Sequence, residues 1–304
     1  MIHKRLVTLG FVTLLGAGTA AALLLPPSSF AAQQTEDTGK KPKDRVLSWK
    51  PPNTDAPIPA LSSSPPCVLA DVLALAGART IELVTDLQSF TAQERIEFRS
   101  NDRQGFVLEE GSDTVSYTVT FPHQRGHPVV EENRAPLSGN NLSEVARAVS
   151  GLPEMVFIFL PTLQGDYEMN CEGMAEWKGK PAWVVDFKQR PDKPERTSSF
   201  HTRNITYPAS LKGHAWISAD SGEVVHLETG LMKEIPPVKL HQWFVVIDYV
   251  PVKFPTQDVT IWLPEFADSY YDFGSRRMMI YHTFANFMLF WTQTNLKIEK
   301  PKQP

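Results

Sequence analysis

The chain has 304 residues, of which 42% are hydrophobic, enough to bury a sizeable core. Thirty basic residues stand against 34 acidic ones for a net charge of −4, and loss of a leader carrying Lys4 and Arg5 makes the balance more acidic still. Such a chain has no electrostatic footprint for nucleic acid, so that class of partner is excluded.

The first residues, MIHKRLVTLGFVTLLGAGTAAALLLPPSSFAA, start basic at His3 to Arg5, run apolar from Leu6 to Leu25 and reach Ser29-Phe30-Ala31. This pattern predicts a secretory signal peptide over residues 1–31, with small residues at −3 and −1 of a cut after Ala31. About 20 apolar residues also suffice for an uncleaved anchor, but the Pro26-Pro27 break favours cleavage. No cysteine lies near the cut, so no lipid-modified N-terminus is expected, and the predicted location is the periplasm or the medium. No later segment reaches 18 apolar residues without a charge, so the mature chain is not expected to span a membrane.

Residues 32–66 are dense in proline, serine and charge and predict a disordered or polyproline-like arm. Its basic run, Lys40 to Lys43, reads as a solvated tail, and Trp49 as either a docking point or an isolated exposed aromatic. Order is expected from Cys67. The chain has two cysteines, Cys67 and Cys171, and in an oxidising compartment a pair without a competitor predicts one disulfide.

Val68, Val72, Leu75, Ala76, Leu83 and Leu87 recur at helical spacing after Pro65-Pro66, with Arg79 the one polar interruption of that face. Two antiparallel strands follow, Ile96 and Phe98 alternating with charge and Val115, Tyr117 and Val119 with polar residues, while Gly105 and Gly111 punctuate the turns. Ser143 and Glu144 predict a short helix over Val145, Ala146 and Val149. Met155 to Leu160 is too short a run to assign by period. Beyond Asp166 strands dominate: one hairpin through KGK, a second formed by LKGHAWISA and EVVHLETGL, then a meander through HQWFVVIDYVPVKF, DVTIWLP, SYYDFG and RRMMIYHTF.

The second hairpin fixes its own register. A three-residue loop, Asp220-Ser221-Gly222, sets Ile217 opposite Val225 and Ala215 opposite Leu227 on one face, and Trp216 opposite His226 and His214 opposite Glu228 on the other. Gly222 then takes the left-handed position and Asp220 accepts backbone hydrogen bonds in the turn. Ser221 is thereby a turn residue and not a nucleophile.

Motifs for chemistry are missing. The chain has no G-x-S-x-G elbow, no glycine-rich dinucleotide or phosphate loop outside the leader, and no H-E-x-x-H. His123 and His127 lie among prolines and glycine and read as a solvated loop, so no metal or cofactor is predicted. Glu109-Glu110 and Glu131-Glu132 point to opposite strand faces, and Asp166 with Glu168 reads as a solvated edge. An enzyme would require His201, His214, His226 and His282 to converge with carboxylates in space.

Apolar surface is what the sequence has in excess. Trp177, Trp183, Trp216, Trp243, Trp262 and Trp291 all lie in the C-terminal half. In WFVVIDY, Trp243, Val245 and Ile247 share one side and Phe244 and Val246 the other; a sheet apolar on both faces needs cover on both, from ordinary core or from a ligand. Phe157, Phe159, Trp183, Trp216, Trp243 and Trp262 are the predicted lining of such a cavity.

The helix-to-strand passage DLQSFTAQERIEF (Asp86 to Phe98) and the strand, acidic turn and strand AWISADSGEVVHLE (Ala215 to Glu228) resemble, in this order, the LolA and RseB group of periplasmic proteins. CEGMAEWKGKPAWVVDFKQRP is similar to stretches of uncharacterised exported bacterial proteins. The first resemblance spans roughly residues 67–298 and carries no functional residue across. It implies an α+β fold: a strongly curved, mainly antiparallel sheet, an open half-barrel, with an N-terminal helix and one or two more on its concave side. One such domain over 67–298 and a tail at 299–304 complete the expected organisation. The implied function is non-enzymatic binding of a lipid or acylated protein, with an envelope protein–protein interaction or sensing module as the alternative.

Overall fold

The computed structural model of the protein describes residues 30–31, 54–56, 58, 61–87, 89–124, 127–137, 141–202 and 205–290. Nearly all of the predicted leader, Lys40 to Lys43, Trp49, Trp291 and the tail at 299–304 lie outside the described residues.

Ten strands make one antiparallel sheet: β1 (Ser89–Asp102), β2 (Val107–Thr120), β3 (Glu131–Pro136), β4 (Tyr167–Trp177), β5 (Lys180–Gln189), β6 (Leu211–Ser218), β7 (Val224–Leu231), β8 (Leu240–Phe254), β9 (Val259–Phe273) and β10 (Arg276–Phe290). Their spatial order is β3-β2-β1-β10-β9-β8-β7-β6-β5-β4, and a two-residue strand, Phe30–Ala31, adds to β10. The two ends do not pair with each other, so the curved sheet is an open half-barrel. Every neighbouring pair but one, β10 with β1, joins strands consecutive in sequence, and the long connection from β3 to β4 runs through the helices from one end of the sheet to the other. The helix α1 (Leu69–Asp86), short helices α2 (Glu144–Ala148) and α3 (Pro161–Gln164), and a 3₁₀ helix at Pro153–Phe159 fill the concave side.

Local chemistry explains these pieces. On α1 the buried row is Val72, Ala76, Thr80 and Val84, an i, i+4 line. Thr80 is tolerated there because its hydroxyl donates to the Ala76 carbonyl at 2.9 Å. Val68 and Leu75, predicted to share that face, are exposed; the buried line has turned away from them, and Leu75 leans on the β6–β7 turn instead, its Cγ lying where a Cβ on Gly222 would be. Ser143 accepts from Ala146 N at 3.0 Å and caps α2 as predicted. The unassigned run Met155 to Leu160 is the 3₁₀ helix with its C-cap, and all of it is buried. Gln164 Nε2 donates to the carbonyls of Leu73 at 3.0 Å and Phe159 at 2.8 Å and so ties this segment to α1.

The β6–β7 hairpin has the predicted register at His214↔Glu228, Ala215↔Leu227 and Trp216↔His226. Ile217 then pairs with Val224, not Val225, because a bulge intervenes. Gly222 is left-handed, at φ 75°. Asp220 accepts none of the turn's backbone bonds; Ser218 takes that part, its Oγ accepting from Ser221 N at 3.2 Å. Gly111 is likewise not in a turn: it sits mid-strand opposite Phe98, whose ring would lie 2.7 Å from an added Cβ. DVTIWLP and SYYDFG are one strand, β9, with a bulge at Glu265, directly after Pro264, where a break was expected.

The cysteines are joined, Cys67 to Cys171, with Cα atoms 6.2 Å apart, which fastens the start of α1 to edge strand β4. Immediately before it, the end of the predicted arm departs from disorder. Ser62 exchanges backbone hydrogen bonds with Met174 of β4 at 2.7 and 2.8 Å, Ile58 and Leu61 pack on the convex face, and Asp55 pairs with Lys212. Two aliphatic side chains, a free strand edge and the disulfide supply partners that composition alone does not reveal. They cover a small second core, Ala182, Val184, Trp216 and Val225, on the side away from the helices. The excess of apolar surface read from the sequence is thus met from both sides, by helices within and by the arm without.

Candidate functional site

One part of the sheet is not closed. β7 pairs with β8 only as far as His226↔Asp248, and β9 pairs with β10 only as far as Phe266↔Thr283. Beyond those points Tyr249 to Phe254 and Val259 to Leu263 pair with each other alone, a two-stranded tip with neither edge bonded to a long neighbour. Val250, Val252, Phe254, Val259, Ile261 and Leu263 all pack toward the main core from this tip.

Beneath the tip is a hollow of about 210 Å³. Its apolar walls are Leu83 of α1, Val156 of the 3₁₀ helix, Val224, Val259, Ile261 and Leu289, with Tyr249 and Trp262 at the side. Polar groups come from α1 (Arg79, Thr80 and Glu82), from the β6–β7 turn (Glu223) and from β9 (Thr260). Arg79 Nε donates to the Ser221 carbonyl at 2.9 Å and Nη1 to Glu82 at 2.6 Å, while Glu223 stands 3.9 Å away. Burial pushes the Glu223 carboxyl up to about 7, against the pull of Arg79, and the Glu82 charge adds to the rise. The mouth therefore carries a cation that holds helix to turn and an acid that titrates near neutrality.

On the convex side of the same gap lies a second hollow, about 320 Å³, walled by Trp177, Trp262, Pro181, Val225, Val250 and Pro251. Lys178 and Lys180 of the β4–β5 hairpin and Asp220 of the β6–β7 turn line it as well. Tyr249 and Trp262 belong to both hollows. Smaller hollows of about 190 Å³ and 160 Å³ lie against α1 and α2.

The six lining residues predicted from sequence are not brought together. Phe157 and Phe159 are core, 5% and 0% exposed, and line none of these hollows. Trp216 is in the convex core under the arm, against Trp177 at 5.8 Å. Trp183 lines the hollow beside α1, and Trp243 the one beside α2, stacked on Tyr271 at 6.0 Å. Trp262 alone reaches the gap. The residues that sequence reasoning passed over are Leu83, Val156, Tyr249, Val259 and Ile261, with Arg79 and Glu223 at the mouth. A signal for them existed: Arg79 was the one charge on an apolar helix face, and VPVKF and VTIWL alternate cleanly on either side of a turn.

The histidines do not converge. His226 Nδ1 meets Asp248 Oδ1 at 2.5 Å and Nε2 meets Glu228 at 3.2 Å, with Trp177 stacked on its ring at 3.9 Å. Burial alone would disfavour the imidazolium, but the two carboxylates outweigh it and raise the His226 pKa. His214 lies 3.4 Å from Asp186, and His201 bonds Ser199 and Thr206 on the surface. His282 is fully buried, its Nδ1 2.7 Å from Glu94. Glu94 also receives Arg134 at 2.6 and 3.1 Å, and a third Arg134 bond goes to the Val149 carbonyl at 2.7 Å. Glu132 accepts from Tyr117 and, at 2.6 Å, from Gly151 N. With Glu94 and His282 at 0% exposure no substrate reaches them, and their bonds run between β1, β3, β10 and the α2 exit: a structural clamp. Among the described residues no group of three or more His, Cys, Asp and Glu is placed to hold a metal ion, and no helix is long and apolar enough to cross a membrane.

No protein-family model matches the chain, and no curated protein matches it. Solved structures do. A candidate outer membrane lipoprotein-sorting protein domain from Vibrio parahaemolyticus is similar at 8% identity and TM-score 0.37, covering 74% of this chain and 94% of its own. A DUF1329 family protein from Desulfovibrio piger is similar at 8% identity and TM-score 0.33, covering 76% and 95%. At such values the likeness carries no argument about this chain, and the site stands on its own geometry.

Proposed function

We propose that this is an exported, non-enzymatic protein that binds a hydrophobic ligand, an acyl chain of a lipid or acylated protein, in the hollow beneath the β8–β9 tip. The observation that carries the reading is that hollow: an apolar space between α1 and two strands that lack neighbours, with all its charge at the mouth. At about 210 Å³ it falls below the roughly 300 to 1,000 Å³ of sites for drug-sized ligands. It therefore suits a stretch of one chain and not a whole lipid. Six buried methylenes would supply about 5 kcal/mol at ~0.8 kcal/mol each, enough for reversible capture. Export through a leader cut after Ala31 and residence in the periplasm accord with the Cys67–Cys171 bridge.

Native mass spectrometry of the full chain after incubation with saturated alcohols and acids of eight to sixteen carbons tests this. A one-to-one adduct is expected; bare protein across the whole series would refute it.

A second reading has its own observation. Phe106, Val107 and Leu108, at the β1–β2 hairpin end, are 73%, 49% and 58% exposed, a contiguous apolar patch that suits contact with another envelope protein. Co-purification of a partner with wild type but not with Phe106→Ser would favour it.

A further inference from the structure

The two hollows lie on opposite faces of the sheet, yet Tyr249 and Trp262 line both. They meet where the wall is missing its hydrogen bonds, past His226↔Asp248. Trp262 packs against the concave and the convex core alike, so its indole spans the thickness of the sheet at this point. The inner hollow is apolar at its floor. The outer hollow differs in chemistry: indole and proline walls, with Lys178 and Lys180 from one turn set against a single lining carboxylate, Asp220, from the β6–β7 turn. Two hydrogen-bond donors on its lining, Trp177 Nε1 and Tyr249 Oη, are buried without a partner, and buried donors left unpaired cost free energy that an acceptor would restore.

We infer that the gap beside Tyr249 and Trp262 is a side passage for a single-chain anionic amphiphile, whose tail lies in the inner hollow and whose head sits in the outer one between Lys180, Lys178 and the two unpaired donors. The inference rests on the acyl-binding reading and adds the class of head group and the direction of entry. Lys178 already contacts Asp248 at 3.4 Å and Glu265 at 3.3 Å, which fixes its ammonium beside the outer hollow. Lys180, on the opposite arm of the same two-residue turn, is exposed and supplies the second charge. A carboxylate and a phosphate monoester share the required chemistry, a compact anion that accepts several hydrogen bonds.

The test uses the full chain and three twelve-carbon ligands, dodecanoate, dodecyl phosphate and dodecanol, titrated against wild type and Lys180→Glu. In wild type at least one anion is expected to bind on the order of tenfold tighter than dodecanol, and the stronger of the two names the head. Lys180→Glu should erase that preference while leaving dodecanol affinity unchanged. Equal affinities for all three ligands, or a preference that survives Lys180→Glu, would overturn the passage while leaving acyl binding intact. Failure of dodecanol and both anions to bind would overturn the two readings together.

Discussion

The sheet has a filled half and an unfilled one. Around β1, β2 and β10 the space against the helices is taken by large rings: Phe90 with Tyr117 at 6.3 Å and with Phe287 at 6.1 Å, Tyr117 with Phe284 at 5.5 Å. Arg134 lies over the Tyr117 ring at 4.5 Å and closes the clamp on Glu94. At the β8–β9 tip the inner hollow is walled by Val259 and Ile261, short side chains on strands that pair only with each other, while Phe254 and Leu263 are buried beside it. Shorter side chains on a wall that stands clear of its neighbours leave space, and the helices do not fill it. One curved sheet thus acts as a rigid body at one side and as a receptacle at the other, and side-chain size with strand pairing decides which.

If that division is right, variants in the filled half alter stability and spare the hollow. Arg134→Ala should cost the most, about 3 to 5 kcal/mol, because it strands a fully buried Glu94 charge. The burial of Glu94 opposes its ionisation, but the His282 bond and Arg134 hold its pKa below the ordinary value, so its contribution is lost as pH falls below about 4.5. Urea unfolding followed by circular dichroism measures the cost, and an unchanged midpoint would show that the clamp does not carry this half. Next is Cys171→Ser, expected to cost about 2 to 5 kcal/mol by releasing a loop that spans 104 positions.

The third prediction is a pH dependence. Glu154 is pushed by burial, and then by Glu132, from 4.5 up to about 8. Between those values the folded chain keeps a proton that the unfolded chain gives up, so stability should fall as pH rises from about 4.5 to 8 and level off above. Glu154→Gln should reduce that slope and leave the part below about pH 7 that the raised Glu223 supplies; an unaltered slope would mean Glu154 does not contribute to it. The smallest effect is at the convex cover, where Ile58→Ser should cost about 1 to 2 kcal/mol. A loss of nothing would mean the arm rests on the sheet without holding it.

Much of this layout could be read in advance, for identifiable reasons. Strict alternation on a half-buried sheet sets register, and so the pairs from His214↔Glu228 to Trp216↔His226 were predictable. The helix face was read a little off, since Leu75 and Val72 are equally apolar and only packing against a particular neighbour decides which turns inward. Composition hid the arm's role: among so many prolines and serines, Ile58 and Leu61 do not look like cover. The site was hardest to read. Large aromatics such as Phe157, Phe159 and Trp243 fill volume well, so they mark where a cavity has been closed; the gap is set by where β7 and β10 stop pairing, a tertiary event with no local signature.

The decisive case is the hollow itself. Val259 lines it and is half-buried, so Val259→Phe can fill the space at little expense to folding, about 1 kcal/mol or less. Calorimetric titration of wild type and Val259→Phe with dodecanol, an uncharged chain, should give binding in wild type and at least tenfold weaker binding in the variant, at matching unfolding midpoints. Equal affinity in the two proteins, or no binding by wild type, would contradict the account.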